Sequence, residues 1–252
     1  MLRRAAPGSS RPARGRAPAK APTPAASVLA LQRAIGNSAT RQLLRKEATD
    51  RFKVVIVPDG DTGVSQPILN RALATVRQEL AKVTSGSHNQ TVKRGFTVEY
   101  RESEGDLEGL HKRVFLVYLM KGRDADRAVK LAAPHMPRGY DSDLKEQAHE
   151  LNSIGGANLR VDFNGRSPSV SLASTGALMD RMKDRENGDK IAGLLLGEII
   201  LHEIGHALRA RHDTGIMEGR AVFDAATLGK PRHFSSDSVS AMRERLEYLA
   251  DH

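Results

Sequence analysis

The chain has 252 residues, no cysteine and a formal net charge of +9. This length allows one sizeable catalytic domain plus an appendage, and the lack of cysteine excludes disulfides, thiolate metal ligands and cysteine nucleophiles. Because no stretch reaches the ~18 apolar residues that a spanning helix needs, we expect no transmembrane segment. Residues 5–23 are rich in Pro, Arg, Gly and Ala and contain no apolar run, so we expect no ordinary secretory signal either.

The excess positive charge lies in an N-terminal arm. Residues 1–46 contain ten Lys or Arg and no Asp or Glu, whereas the rest of the chain has 29 basic against 30 acidic residues. Residues 1–26 are rich in Pro, Ala, Arg and Gly, and we expect them to be disordered because they cannot bury enough apolar surface. Such an arm is typical of a linker or docking segment. Basic arms also bind nucleic acid, but the balanced body with 4% aromatic residues argues against dedicated nucleic-acid recognition.

Residues 27–48 are predicted to form a short helical targeting or docking motif. Ser27 can cap a helix, and Gly36-Asn37 interrupts it. The segment resembles the LQRxxGNxAxxxLL motif near the N-termini of many actinobacterial proteins, which are often associated with extracellular contractile injection systems. The matching residues are Leu31, Gln32, Arg33, Gly36, Asn37, Ala39, Leu43 and Leu44. The resemblance implies a toxin effector that is loaded into an injection apparatus and exported by that route. The alternative localisation is the cytoplasm of the producing cell.

The pattern becomes globular over residues 50–252. Apolar runs and periodicity predict strands at 52–57, 96–100 and 114–120, helices at 67–83 and 124–132, and strands at 159–163 and 169–173. Asn164-Gly165 is a strong hairpin signal between the last two strands. A long helix from Asp189 to Leu208 and a final helix at 236–249 follow. This order, without an internal repeat, predicts an α+β layer arrangement.

The long predicted helix contains the sequence H-E-x-x-H at His202, Glu203 and His206. Positions i and i+4 lie one turn apart on the same face, so the two imidazoles can hold one metal ion. Glu203 is rotated by about 100° from His202 and therefore flanks the metal, where a base for an attacking water is needed. His212 follows ten residues after His202, and Met217 comes shortly after it.

This pattern resembles the metzincin clan of zinc proteases, which place two ligands on a helix, a third after a sharp turn and a methionine beneath the site. The resemblance implies a Zn²⁺ cofactor, with His202, His206 and His212 as ligands, Glu203 as general base and Met217 as the Met-turn residue. It also implies a zincin-like domain with a twisted mixed sheet, an active-site helix and a C-terminal helix.

Two positions depart from the family pattern. Arg209 stands where the family has a glycine that ends the helix at positive φ, so either Arg209 adopts that conformation or the chain turns one residue later. No tyrosine follows Met217 at the spacing where some relatives place a transition-state stabiliser, which leaves the oxyanion donor unassigned.

Other assignments stay open. The histidines could form a buried polar pair, with Glu203 bound to Arg209 or Arg211, and Asp213 could replace His212 as third ligand. A gluzincin-like arrangement would instead use one of Glu218, Glu244 and Glu247. The histidines outside the motif are assigned to the surface or to loops, and two tyrosines to packing: His88, His111, His135, His149 and His233, and Tyr140 and Tyr248.

The sequence therefore predicts a zinc-dependent endopeptidase that uses a metal-activated water and the Glu203 base on a protein or peptide substrate. By resemblance, the substrate lies along one of the two strands between residues 157 and 173. The competing hypotheses are a non-catalytic zincin-like binding domain and a protein whose basic arm binds nucleic acid.

Overall fold

The computed structural model describes residues 51–105, 107, 110, 112–149, 155–161, 168–218 and 228–252. The predicted arm, its helical motif and the Asn164-Gly165 turn lie outside these residues. Contacts within the chain place a unit boundary between Glu47 and Ala48. Among the described residues, no helix is both long and apolar enough to cross a membrane.

The described chain forms five strands and seven α-helices. The strands are β1 (Phe52–Asp59), β2 (Phe96–Tyr100), β3 (Val114–Met120), β4 (Gly156–Arg160) and β5 (Ser169–Ser174). The helices are α1 (Gln66–Ser85), α2 (Gln90–Lys93), α3 (Ala125–Ala132), α4 (Asp141–Ala148), α5 (Gly176–Met182), α6 (Gly188–Ala207) and α7 (Ser236–Asp251). A 3₁₀ turn, Ala133–His135, follows α3.

The strands form one mixed sheet in the order β2-β1-β3-β5-β4. Neighbouring strands run parallel except for β4, which is the outermost strand on one side and pairs antiparallel with β5. This confirms the predicted α+β class with a mixed sheet. The antiparallel pairing of the last two strands is confirmed as well.

Both faces of the sheet are covered, which explains the continuous apolar runs in its central strands. In β1, Val54 and Ile56 join the core formed with α1, α6 and α7, whereas Val55 and Val57 point to the opposite side, where α3 and α4 pack. The apolar residues of β1 are thus used on both sides of the sheet.

Helix α6 is buried over most of its length because it lies between the sheet and α1. Gly193 and Gly197 lie one turn apart on α6, and a Cβ at either would overlap side chains of Arg71 or Thr75 on α1. The two glycines therefore let the helices approach closely, and α1 holds the site-bearing helix against the sheet.

Some predicted boundaries were wrong. Strand β4 begins at Gly156, three residues before the predicted start, because pairing with β5 decides its register and Gly156-Ala157-Asn158 carries little strand propensity. Helix α6 begins at Gly188 after Asn187, not at the predicted cap Asp189. The short helices α2, α4 and α5 were not predicted, since each has few apolar residues at helical spacing.

Candidate metal centre

The end of α6 reverses the chain through a left-handed residue. The helix ends at Ala207, and Arg209 has φ +64°. Arg209 N donates to His206 O at 2.9 Å and Ala210 N donates to Gly205 O at 2.8 Å, the pair of hydrogen bonds of a Schellman motif. The prediction that Arg209 takes the conformation of the family's glycine is confirmed, and a turn one residue later is wrong.

This reversal brings His212 back to the two histidines of the helix. The ligand nitrogens of His202, His206 and His212 lie within 4.8 Å of one another, and the Nε2 atoms of His202 and His206 are 3.0 Å apart. His202 is buried, His206 is half-buried and His212 is exposed. The cluster therefore has a protein side and a side that faces solvent.

A backbone carbonyl fixes the orientation of the most buried imidazole. Nδ1 of His202 lies 2.8 Å from Ile216 O, which can only accept, so Nδ1 carries the proton and donates it. The lone pair of Nε2 then points toward the other two histidines. This is the arrangement by which proteins commonly orient a metal-binding histidine.

Burial keeps the helical imidazoles neutral. It lowers the pKa of His202, and it lowers the pKa of His206 to about 3, assisted by the neighbouring His202 and His212. A neutral imidazole offers a lone pair, whereas an imidazolium cannot bind a cation. His202 and His206 can thus each offer a nitrogen lone pair to a metal ion at neutral pH.

The donor set fits a zinc ion. Tetrahedral zinc with Zn–N bonds of about 2.0–2.1 Å separates neighbouring nitrogens by roughly 3.3 Å, close to the 3.0 Å between the Nε2 atoms of His202 and His206. Within the described residues, the group that could hold a metal consists of these two and His212. Asp213 is not in this group, and its carboxylate accepts a hydrogen bond from Ser235 Oγ. The glutamates of the gluzincin-like alternative, Glu218, Glu244 and Glu247, are not in it either.

The side chain of Glu203 extends from α6 toward β4, the outermost strand. Its side chain is buried, and its carboxyl group rests against Gly156 at the start of β4, where an added Cβ would overlap it. A glycine at this position of the strand is therefore required for the carboxyl group to occupy its place.

Met217 packs directly on the helix of the site. It is fully buried, and its sulfur is so close to Gly205 that a Cβ added there would overlap it. Ile216 N donates to His233 O at 3.1 Å, and Gly215 forms an isolated antiparallel bridge with Phe234. These contacts hold the segment that supplies the carbonyl for His202.

The sequence reasoning missed a buried ion pair behind the site. Glu198, one turn before His202, accepts from Arg232 N at 2.9 Å and from Arg232 Nε at 2.8 Å. The Glu198 side chain is 0% exposed and that of Arg232 is 11% exposed. A glutamate on the His202 face of an apolar helix indicated a buried charge that needs a partner. The sequence could not identify that partner, because Arg232 is 34 residues away.

The remaining histidines and tyrosines have different outcomes. His88, His149 and His233 are exposed, as predicted, and His111 lies outside the described residues. The prediction for His135 was wrong: it is largely buried, with Nε2 3.1 Å from Tyr118 Oη and 3.2 Å from Glu104 Oε2. Tyr140 packs partly buried against the core, as predicted, whereas Tyr248 is exposed and stacks on His252.

No protein-family model, no curated protein and no solved structure matches this chain.

Proposed function

We propose that this chain is a zinc-dependent endopeptidase with a metzincin-type site and a zincin-like fold. The observation that carries the proposal is the cluster of three histidine nitrogens within 4.8 Å, with the buried carboxyl group of Glu203 on the same helix. If His202 and His206 only packed against each other in the core, there would be no reason for the exposed His212 to lie beside them.

His202, His206 and His212 would hold the zinc. When bound, zinc supplies a Lewis acid that acidifies water and polarises a peptide carbonyl. Glu203 accepts the proton of the attacking water and delivers it to the leaving amine, which its position on the helix beside the ligands allows.

Strand β4 offers an edge for the main chain of a peptide. Gly155 O accepts from Ser174 N, and Val161 N donates to Pro168 O, so the odd-numbered residues of β4 bond to β5. The even-numbered residues Gly156 and Asn158 therefore turn their backbone groups outward. An extended substrate bonded to them would lie beside Glu203.

The edge is closed at the other end of β4. Gln147 of α4 accepts from Arg160 N at 2.7 Å through Oε1 and donates to Arg160 O at 2.8 Å through Nε2. Because these bonds occupy the outward backbone groups of Arg160, the substrate strand would pair with Gly156 and Asn158 and leave the sheet there.

The test is a Glu203→Gln variant, which keeps the shape of the side chain and removes its basicity. It should bind about one zinc per chain, as the unaltered chain does, and cleave a peptide library at least about 100-fold more slowly. Glu186→Gln, on the surface before α6, is the matched control and should keep both properties.

Metal content is measured by elemental analysis and cleavage by mass spectrometry. Proteolysis that persists in Glu203→Gln would refute the role of Glu203. Zinc binding without turnover of any peptide by the unaltered chain would favour the alternative, a non-catalytic zincin-like interaction domain.

A further inference from the structure

A cleft of about 520 Å³ adjoins the metal centre on its solvent side. Its lining residues are Arg160, His206, Arg209, Ala210, Arg211 and His212. Three of these six residues are arginines, all exposed, and none is acidic. Two of the proposed zinc ligands thus share a wall with a concentration of positive charge.

This concentration is local. The chain beyond residue 46 has 29 basic and 30 acidic residues, so a cluster of three arginines does not follow from its average composition. Among the described residues, Asp213 accepts a hydrogen bond from Ser235, and Glu203 is buried.

The arginines come from two separate parts of the chain. Arg160 ends β4, whereas Arg209 and Arg211 follow α6. A second depression on the other side of Arg160 is lined by Tyr140, Asp143, Glu146, Gln147, Arg160 and Val161. The charge along this edge therefore changes sign at Arg160, with acidic groups on one side and arginines on the other.

The path of the proposed substrate leads toward the arginines. A peptide bonded to Gly156 and Asn158 leaves the edge at Arg160, where Gln147 occupies the strand's outward backbone groups. Guanidinium groups pair with carboxylates through two parallel hydrogen bonds, which ammonium groups cannot do.

We propose that the cleft formed by Arg160, Arg209 and Arg211 binds a carboxylate of the substrate on one side of the scissile bond. This inference rests on the proposed function and names its substrate class. The carboxylate is either an Asp or Glu side chain or the free C-terminus of the peptide, and the chemistry of recognition is the same.

The test measures binding without turnover. The full chain carrying Glu203→Gln is loaded with zinc and titrated into fluorescein-labelled decapeptides of alanine, glutamine and leucine. One peptide has two glutamates and an amidated C-terminus, one is neutral and amidated, one is neutral with a free carboxylate, and one has two lysines. Fluorescence anisotropy at low salt gives each Kd.

We expect the glutamate peptide or the free-carboxylate peptide to bind about 5-fold more tightly than the neutral amidated peptide, the upper end of what a charge pair at an open surface contributes. The first result identifies a side-chain carboxylate and the second a C-terminal one. Adding Arg160→Glu and Arg211→Glu together should abolish the advantage. Adding Arg185→Glu, which lies just before α6 and about 30 Å of helix away from Arg209, should leave it unchanged.

Equal affinity for all four peptides, including no measurable binding of any, would overturn the proposal, as would an advantage that survives in the double variant. Circular dichroism and zinc content verify that each variant is folded. Cleavage by the unaltered chain is assayed separately, so a carboxylate preference without turnover contradicts the proposed function alone. Turnover without a preference contradicts only this inference.

Discussion

Arg209 has a backbone conformation that residues other than glycine, asparagine and aspartate rarely adopt. Its φ of +64° brings Cβ close to the backbone, at a cost of about 1–2 kcal/mol. The two hydrogen bonds of the Schellman motif and the burial of Ala210 stabilise the turn. A glycine would make the same turn without strain, so the arginine is explained better by its side chain, which lines the cleft beside His206.

Two substitutions at Arg209 separate the effect of backbone strain on stability from the effect of losing the charge. Arg209→Gly should have a free energy of unfolding about 1 kcal/mol higher than Arg209→Ala, because both lose the guanidinium group and only glycine relieves the strain. Urea unfolding of the two zinc-loaded variants measures the difference. Equal stabilities would mean that the positive φ is not strained in the folded protein.

At the level of elements, the site depends on how the segment around Ile216 is held against α6. The backbone bonds of His233 and Phe234 reach this segment from one side. The ion pair between Glu198 and Arg232 attaches residues 232–234 to α6, one turn before His202. The orientation of His202 thus depends on Glu198, which does not touch the proposed metal.

Glu198→Gln should weaken zinc binding by about 10-fold, the lower end of what the loss of an orienting partner costs. The variant keeps the size of the side chain but leaves the nearly buried guanidinium group of Arg232 without its counter-charge, so the free energy of unfolding should also fall by about 3 kcal/mol. Competition with a chelator gives the zinc affinity, and urea unfolding gives the stability.

Glu186→Gln, which removes an exposed carboxylate before the same helix, is the control. Zinc affinity that is the same in the Glu198 and Glu186 variants would refute the link between the ion pair and the metal centre.

For the whole molecule, the unit boundary between Glu47 and Ala48 separates the basic arm from the part that holds the histidines. Deletion of residues 1–47 should leave the zinc content unchanged and shift Tm by less than about 3 °C, since the described residues beyond 50 by themselves form a core on each face of the sheet. Elemental analysis and calorimetry measure both. Loss of zinc on deletion would show that the arm belongs to the folded unit.

The same deletion tests the alternative role of the arm. If the arm serves to bind nucleic acid, the full chain should show an affinity that falls steeply with salt and disappears with residues 1–47. If the full chain shows no such affinity at low salt, this hypothesis is excluded, and targeting or docking remains the prediction for the motif at 27–48.

Features that depend on residues close together in the chain could be predicted from the amino-acid sequence. The spacing of His202 and His206 places both imidazoles on one helical face because an α-helix turns every 3.6 residues, and no other part of the chain is needed for this. The apolar runs of β1 and β3 likewise indicated buried strands of an α+β fold, because such a run consists of consecutive residues. The spacing of the histidines also predicted a turn after α6, but it left open whether Arg209 or the next residue makes it.

Features that depend on contacts between distant residues could not be predicted from the sequence and became visible in the folded chain. The start of β4, the bonds of Gln147 to Arg160 and the ion pair of Glu198 with Arg232 each join residues 13 or more positions apart. The arginine cleft likewise combines the end of β4 with the turn after α6. Local periodicity carries no information about such pairings, because their register is set by the packing of the sheet and helices against one another.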